Sequence, residues 1–403
     1  MDTSPSPLPR GLVLLMAMAT GLAVASNYYA QPLLEILARE FDIDVGHAGL
    51  VVTTAQLAYA AGLLLIVPLG DRLERRALIV GLYALSAVGL LVSARAHGLG
   101  LLLVGTLLTG ASSVCAQILV PFAATLAAPH ERGRVIGTVM SGLLLGILLA
   151  RTASGLLAGV GGWQTIYWVA AALILLVAGL LWRGLPAHPG QATLAYPRLV
   201  GSVLALLRDE PVLRARAVLG GLLFAGFSIF WTTLAFLLAG PDYGYGTATI
   251  GLFGLIGAAG ALAANLSGKL SDQGAGHWVT WGGLLMLLAA WALLAAAPHS
   301  LAALIGGVLL LDVAVQGVHI GNQSVIYRLD PAARNRITSA YITCYFIGGA
   351  AGSSAGASAY ALAGWNGVVA VGAALAVLAL LWALLTVRHA FDGASGAVLP
   401  GRG

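Results

Sequence analysis

The stretch Val67-Pro68-Leu69-Gly70-Asp71-Arg72-Leu73-Glu74-Arg75-Arg76 stands between two long apolar runs. A shorter version, Gly268-Lys269-Leu270-Ser271-Asp272-Gln273, stands between two others, with Asp272 lying 272 − 71 = 201 residues after Asp71. Two more correspondences share this spacing: Arg134 with Arg336, and Gly162-Trp163 with Gly364-Trp365, each 202 residues apart. Three matches at one nearly constant offset, each in the same interval of its half, point to an internal duplication. The apolar runs lie near 11–36, 47–69, 77–95, 99–127, 135–159, 163–182, 217–239, 247–270, 276–297, 300–325, 337–363 and 366–387. Each offers the ~20 mostly apolar residues that a helix needs to cross the hydrocarbon core. The reading is an all-α membrane protein with twelve transmembrane helices in two pseudo-symmetric six-helix bundles, related by an axis along the membrane normal.

Composition leads the same way. Of 403 residues, 59% are hydrophobic and 9% charged, where a soluble domain has about 45–50% and about 25%. This argues against a water-soluble enzyme and against disorder, and the 54 glycines suit closely packed membrane helices. The net charge, 20 − 15 = +5, comes from residues scattered in short loops. No basic run with interleaved aromatics accompanies them, so no nucleic-acid partner is expected. Cys115 and Cys344 both lie in apolar stretches and give neither a disulfide framework nor a metal-ligand spacing. No phosphate-binding Gly-x-x-x-x-Gly-Lys-Ser/Thr loop is present, so neither ATP nor any cofactor is expected. Arg10, an apolar run and Ala23-Val24-Ala25 imitate a secretory signal, but the run continues through Tyr29 to Leu37, which favours a retained first span.

The one long polar interruption, 183–215, separates an N-terminal bundle (1–182) from a C-terminal bundle (216–403) as a cytoplasmic linker. Within it Leu199, Val203, Leu206 and Leu207 recur at helical spacing, which fits a short helix on the membrane surface; an irregular loop is the alternative. With the N-terminus inside, 17 basic residues fall in inside segments, Arg72, Arg216 and Arg388 among them, and only Arg39 and Arg95 fall outside. Both termini are therefore expected in the cytoplasm.

The loop motif resembles that of the major facilitator superfamily, Gly-x-Leu-x-Asp-Arg-x-Gly-Arg-Arg, met here by Leu69, Asp71, Arg72, Arg75 and Arg76, with Val67 and Glu74 at the glycine positions. The second copy keeps Gly268, Leu270 and Asp272 but no following arginine. Asn27-Tyr28-Tyr29-Ala30-Gln31-Pro32-Leu33 and Ala150-Arg151-Thr152-Ala153-Ser154-Gly155 are similar to a bacterial drug and sugar efflux (arabinose-efflux-like) branch of that superfamily. The antiporter signature of span five, Gly-x-x-x-Gly-Pro-x-x-Gly-Gly, is partly met: Gly142 and Gly146 match, while Ile147, Ala150 and Arg151 stand at the Pro and Gly positions. Thr106, four residues before Gly110, stands where such antiporters often have an arginine in span four. Coupling through that arginine is therefore not carried over.

Ionisable groups inside a membrane are costly, so each is a candidate for function. Asp312 sits mid-span, and Gln316, His319 and Gln323 follow at +4, +7 and +11, on one helical face. Asp312 and His319 either form a proton relay or hold neighbouring helices by hydrogen bonds. Arg151 has three readings: contact with an anionic or carbonyl-bearing substrate, pairing with an acid such as Glu35, or snorkelling to the surface. Asn27, Tyr28 and Gln31 cluster beside Pro32, and Gln117 is the repeat partner of His319, since 319 − 117 = 202. Phe230, Trp231, Tyr341 and Tyr345, with Gln316, complete the substrate-contact candidates; ordinary packing is the alternative for each aromatic residue. Asp71, Arg72, Arg75, Arg76, Arg132 and Arg134, with Gly268 and Asp272 of the second copy, form a candidate cytoplasmic gate or merely fix orientation; the resemblance implies gating for Asp71 and Arg72.

Together these features describe a secondary transporter of the bacterial inner membrane that rocks two halves about a central cavity. The residues support proton coupling, and the resemblance implies export of a small amphipathic compound such as a drug, sugar or metabolite. The alternatives are an importer or facilitator of a sugar, carboxylate or amino-acid-like solute, and, from another class, a membrane-embedded enzyme using Asp312 and His319. Expected partners are the solute, protons and the lipid bilayer, with the chain a monomer.

Overall fold

In hydrocarbon an unpaired backbone N–H or C=O costs several kcal/mol, so apolar runs of this length fold as helices. The computed structural model describes residues 8–190, 195–257, 260, 266–270, 273, 275–330 and 333–395, and every regular element among them is helical. In chain order the α-helices are α1 (Arg10–Ala25), α2 (Leu34–Glu40), α3 (Val45–Leu65), α4 (Arg75–Ala94), α5 (Leu99–Ser112), α6 (Cys115–Leu126), α7 (Arg132–Gly161), α8 (Thr165–Gly184), α9 (Tyr196–Asp209), α10 (Pro211–Ala239), α11 (Thr247–Leu252), α12 (Gly276–Ala295), α13 (Leu301–Ile326) and α14 (Arg334–Ser395).

Among the described residues nine helices are long and apolar enough to cross a membrane, and the difference from twelve has physical causes. The first span is broken into α1 and α2 by turns at 26–30 and a 3-10 turn, Gln31–Leu33, that carries Pro32. Proline removes a backbone donor, so a break is expected there. The eighth span is also interrupted, α11 passing into a 3-10 turn at Phe253–Gly257. The last two spans run together in α14 and part at Ala363 and Gly364.

Gly364 has φ 59° and its repeat counterpart Gly162 has φ 85°, the left-handed region that favours glycine. Each positions a buried tryptophan directly after the turn. Trp163 packs edge-on against Phe41 and Tyr167, and Trp365 donates through Nε1 to the Leu294 carbonyl at 2.7 Å. The Gly-Trp pair is thus a repeated turn-and-anchor device.

Two compact units are present, Met1–Val200 with Trp231–Ala258 and Gly201–Phe230 with Ala259–Gly403. In the first, α1 crosses α7 so closely that a methyl group added at Gly146 would overlap the Gly21 carbonyl. In the second, a methyl group at Gly348 of α14 would overlap the Gly221 carbonyl of α10. Gly21 and Gly221 are 200 residues apart, and Gly146 and Gly348 are 202 apart. The same crossing therefore occurs once per repeat, with small residues letting backbones touch. Large apolar side chains such as Val160, Leu362 and Leu385 are exposed, as suits a surface solvated by lipid.

Of the two readings of the stretch around Leu199 to Leu207, the helical one holds: residues 196–209 form a helix, with Leu199 and Val203 buried. The seventh span begins at Pro211 instead of 217, because proline is well suited to a first helical turn. Arg214, read from sequence as a linker residue, and Arg216, read as standing just ahead of the seventh span, are therefore helical, and Arg216 is buried at 2% exposure.

Candidate functional site

In the first unit the broken first span gathers polar groups. Asn27 Nδ2 donates to Ser113 Oγ at 2.8 Å, and Ser113 lies at the junction of α5 and α6, where the fourth span is interrupted too. The Tyr29 carbonyl, freed by the turns, accepts from Ser154 Oγ at 2.6 Å. Arg151, one turn of α7 earlier and only 4% exposed, donates from Nε to Gln31 Oε1 at 2.6 Å. Its guanidinium carbon lies 4.7 Å from the Tyr28 ring centre and 4.1 Å from that of Trp231. Stacking between aromatic faces suits a planar, weakly hydrated cation, and lysine could not reproduce it. Glu35, offered as a partner for Arg151, is bonded instead to Arg39 one turn away, at 2.7 Å.

Gln31, Pro32, Arg151, Trp231, Leu234, Ala235 and Ile250 line a cavity of about 10 Å³. A second cavity, of about 20 Å³, lies among Asn27, Ser93, Thr106, Thr109 and apolar neighbours. It has room for roughly one water molecule. Gln117 donates from Nε2 to the Tyr59 hydroxyl at 3.1 Å.

In the second unit α13 carries Asp312, Gln316 and His319. Asp312 is 3% exposed, and the Gly260 backbone packs so near that a methyl group there would meet Asp312 and Gln316 at 3.2 Å. One to two turns further on, His319 Nδ1 lies 3.1 Å from the Tyr341 hydroxyl. Asn322 Nδ2 lies 3.4 Å from the same oxygen, and Arg216 Nη1 donates to Asn322 Oδ1 at 3.1 Å and Thr280 Oγ1 at 3.3 Å. Tyr345 stacks on Phe224, with ring centres 4.1 Å apart, and lies beside His319. Phe230 is fully buried against Trp365.

The structure thus joins Arg151 to Gln31, Tyr28 and Trp231, and His319 to Tyr341 and Tyr345. Sequence reading missed Arg216, Asn322 and Thr280, although Asn322 stands ten residues after Asp312, close to the face already singled out.

Around the loop motif, Asp71 lies 3.6 Å from Arg75. Arg75 Nε donates to the Gly70 carbonyl at 3.1 Å, and Arg76 stacks over Trp182 at 4.7 Å. Arg134 pairs with Glu131 at 2.9 Å and Arg132 donates to the Ala127 carbonyl at 3.4 Å. Arg72 is exposed, and its backbone meets that of Gly190. Glu74 caps α4, accepting from the N–H groups of Arg76 and Ala77, and also accepts from the N–H of His188 at 2.9 Å. Burial pushes its carboxyl up, but these three donors outweigh that and hold it below the usual carboxylate range. In the second copy Gly268 has Ile320 3.8 Å from the site of an added methyl, and Asp272 lies outside the described residues.

A duplicated helical bundle, a loop motif anchored in this way, and a match to the Major Facilitator Superfamily model over residues 16–353 decide the family. The chain belongs to the major facilitator superfamily. It is 56% identical over 374 residues to the putative uncharacterized transporter YgaY of Escherichia coli (strain K12), covering 93% of this chain and 95% of that one. It is 22% identical to a probable sugar efflux transporter of Helicobacter pylori, with 92% and 93% covered. Among solved structures it resembles a bacterial homolog of the human lysosomal transporter Spinster, in an inward-facing and unoccupied conformation. The TM-score is 0.79 at 16% identity, over 95% of this chain and 98% of that one. This major facilitator superfamily chain is a membrane protein of transporter kind.

Proposed function

We propose that this transporter exports a small amphipathic compound from the bacterial cytoplasm by proton-coupled alternating access, with both termini cytoplasmic. The observation that carries the reading is Asp312: a carboxyl within a transmembrane helix, packed against the Gly260 backbone and two turns from His319. Carboxyls inside membranes mark ion and proton pathways. Asp312 takes and releases the proton, and His319 is the neighbouring group of the relay. The direction of transport rests on the efflux name carried by relatives at about one fifth identity. The linker is cytoplasmic, and the cluster around Asp71, Arg72 and Arg75 closes the inner face.

The test is accumulation of a chemically broad compound panel in efflux-deficient cells expressing the wild type or Asp312→Asn. Lower accumulation with the wild type, lost with an uncoupler and lost in the variant at normal expression, supports coupled export. Raised accumulation with the wild type would favour a second reading, uptake of a sugar, carboxylate or amino-acid-like solute. That reading draws on Arg151, whose guanidinium is held between Tyr28 and Trp231.

A further inference from the structure

The hydrogen bonds that run from Arg216 to His319 have a fixed direction. An arginine only donates, so the group of Asn322 facing Arg216 at 3.1 Å must be the amide oxygen. A flipped amide would set N–H against N–H. The Asn322 nitrogen is thereby turned to the Tyr341 hydroxyl and can only donate to its oxygen. Tyr341 has one hydroxyl hydrogen, and the imidazole Nδ1 of His319 lies 3.1 Å away. Nδ1 is the acceptor placed near that hydrogen, and if Tyr341, while accepting from Asn322, spends its hydrogen there, Nδ1 carries no proton and the neutral ring has its proton on Nε2.

The surroundings of the ring favour the same state. The ionisable groups that face it or share its network are Arg216 from α10 and Tyr341 and Tyr345 from α14, while Asp312 stands two turns back on its own helix. Arg216 is 2% exposed. An imidazolium at position 319 would place a second cation in the network that holds that guanidinium, and would force Tyr341 to accept two N–H groups and redirect its own hydrogen. Like charges in a water-poor interior disfavour each other strongly.

We propose that Arg216 is a positioning residue: through Asn322 and Tyr341 it holds His319 as the neutral Nε2–H tautomer. In the Asp312–His319 relay the exchanged charge is then stored on Asp312, and the imidazole acts as a hydrogen-bond donor through Nε2 without becoming a cation. The assignment of roles rests on the coupling reading above, whereas the tautomer does not.

Nitrogen-15 NMR of the purified full-length protein in lipid nanodiscs, with labelled histidine and His319→Gln to assign the resonance, reads the ring directly. The wild type is expected to show a protonated Nε2 and a bare Nδ1 that stay unchanged from pH 8 to pH 5. Asn322→Asp reverses the chain, because a carboxylate accepts from both Arg216 and Tyr341 and leaves Nδ1 to donate. Its spectrum should show a protonated Nδ1, with proton affinity of the ring raised at least about tenfold, one pKa unit. Tyr341→Phe should free Nδ1 and allow the tautomers to mix. A wild-type ring protonated on Nδ1, or one that titrates near the ordinary histidine value of about 6.5, would overturn the proposal without any variant. So would Asn322→Asp and Tyr341→Phe spectra identical to wild type. Loss of coupled export in the compound panel with an intact Nε2–H signal would instead overturn the coupling reading and leave the tautomer standing.

Discussion

Gln117 and His319, 202 residues apart and at equivalent places in the two repeats, each meet a tyrosine hydroxyl at 3.1 Å. The tyrosines are not equivalent: Tyr59 comes from α3 and Tyr341 from α14. One bond has thus been kept at one end and re-sourced at the other. His319→Gln, which recreates the Gln117 arrangement, should unfold close to the wild-type temperature. His319→Leu leaves the Tyr341 hydroxyl without that partner and should lose about 1–3 kcal/mol. Thermal unfolding in detergent, followed by size exclusion, separates the two, and equal losses would contradict this account.

Arg151 should resist the conservative exchange. Arg151→Lys keeps the charge but loses the planar stack between Tyr28 and Trp231, worth about 2 kcal/mol when desolvated. Transport by the variant, at matched expression, should fall by roughly tenfold or more, since each 1.4 kcal/mol is about a factor of ten. Gln31→Glu gives the guanidinium a carboxylate at the same place and is expected to tighten the contact. Unchanged transport by Arg151→Lys would show that the stack has no part in turnover.

The helix crossings make a sharper prediction. Gly146→Leu and Gly348→Leu each push a side chain into a carbonyl of the facing helix, so neither variant should yield monodisperse protein. Gly137→Ala, also on α7 but with open space around it, should behave as wild type. At the turns, Gly162→Ala and Gly364→Ala place a side chain on positive-φ, extended backbone that glycine alone adopts readily, costing about 1–3 kcal/mol each. A Gly364→Ala protein as stable as wild type would contradict the positive φ described there.

Acid should loosen the linker attachment. The Glu74 carboxyl is held below the usual carboxylate range by three N–H donors, so its stabilising contribution is complete above the unfolded value and fades as pH falls through the folded one. Hydrogen exchange at the amides of Arg76, Ala77 and His188 should be slow at neutral pH and approach that of Glu74→Gln below about pH 4. The variant itself should show fast exchange at both pH values. Indistinguishable exchange at neutral pH would remove Glu74 from the anchor.

Most of the fold was legible because the membrane imposes one rule on every span, about 20 apolar residues per crossing, and because duplication wrote the rule twice. The break in the first span was legible through Pro32. The interruption at Ser113 and Val114 was not, since Pro121, the nearest signal, sits inside an intact α6. Arg216 was misread for a related reason. An arginine five residues into a helix that starts among linker arginines looks the same in sequence whether it faces water or the bundle. Only the side chains brought from α12, α13 and α14 tell the two apart. Arg151 was recognisable as unusual because it interrupts an apolar run, but its partners came from 120 and 80 residues away.

The two glycine crossings preserve a history. The second loop motif has lost the arginines of the first, and the tyrosine that meets Gln117 or His319 has changed helix, yet Gly21 with Gly146 and Gly221 with Gly348 still touch in the same manner. Since the ancestral half was copied, divergence has rewritten charge and polarity while leaving the point of backbone contact alone. A gene duplication contained in one chain is in this sense its own control experiment: what drift could alter is written differently in the two halves, and what it could not alter is written twice.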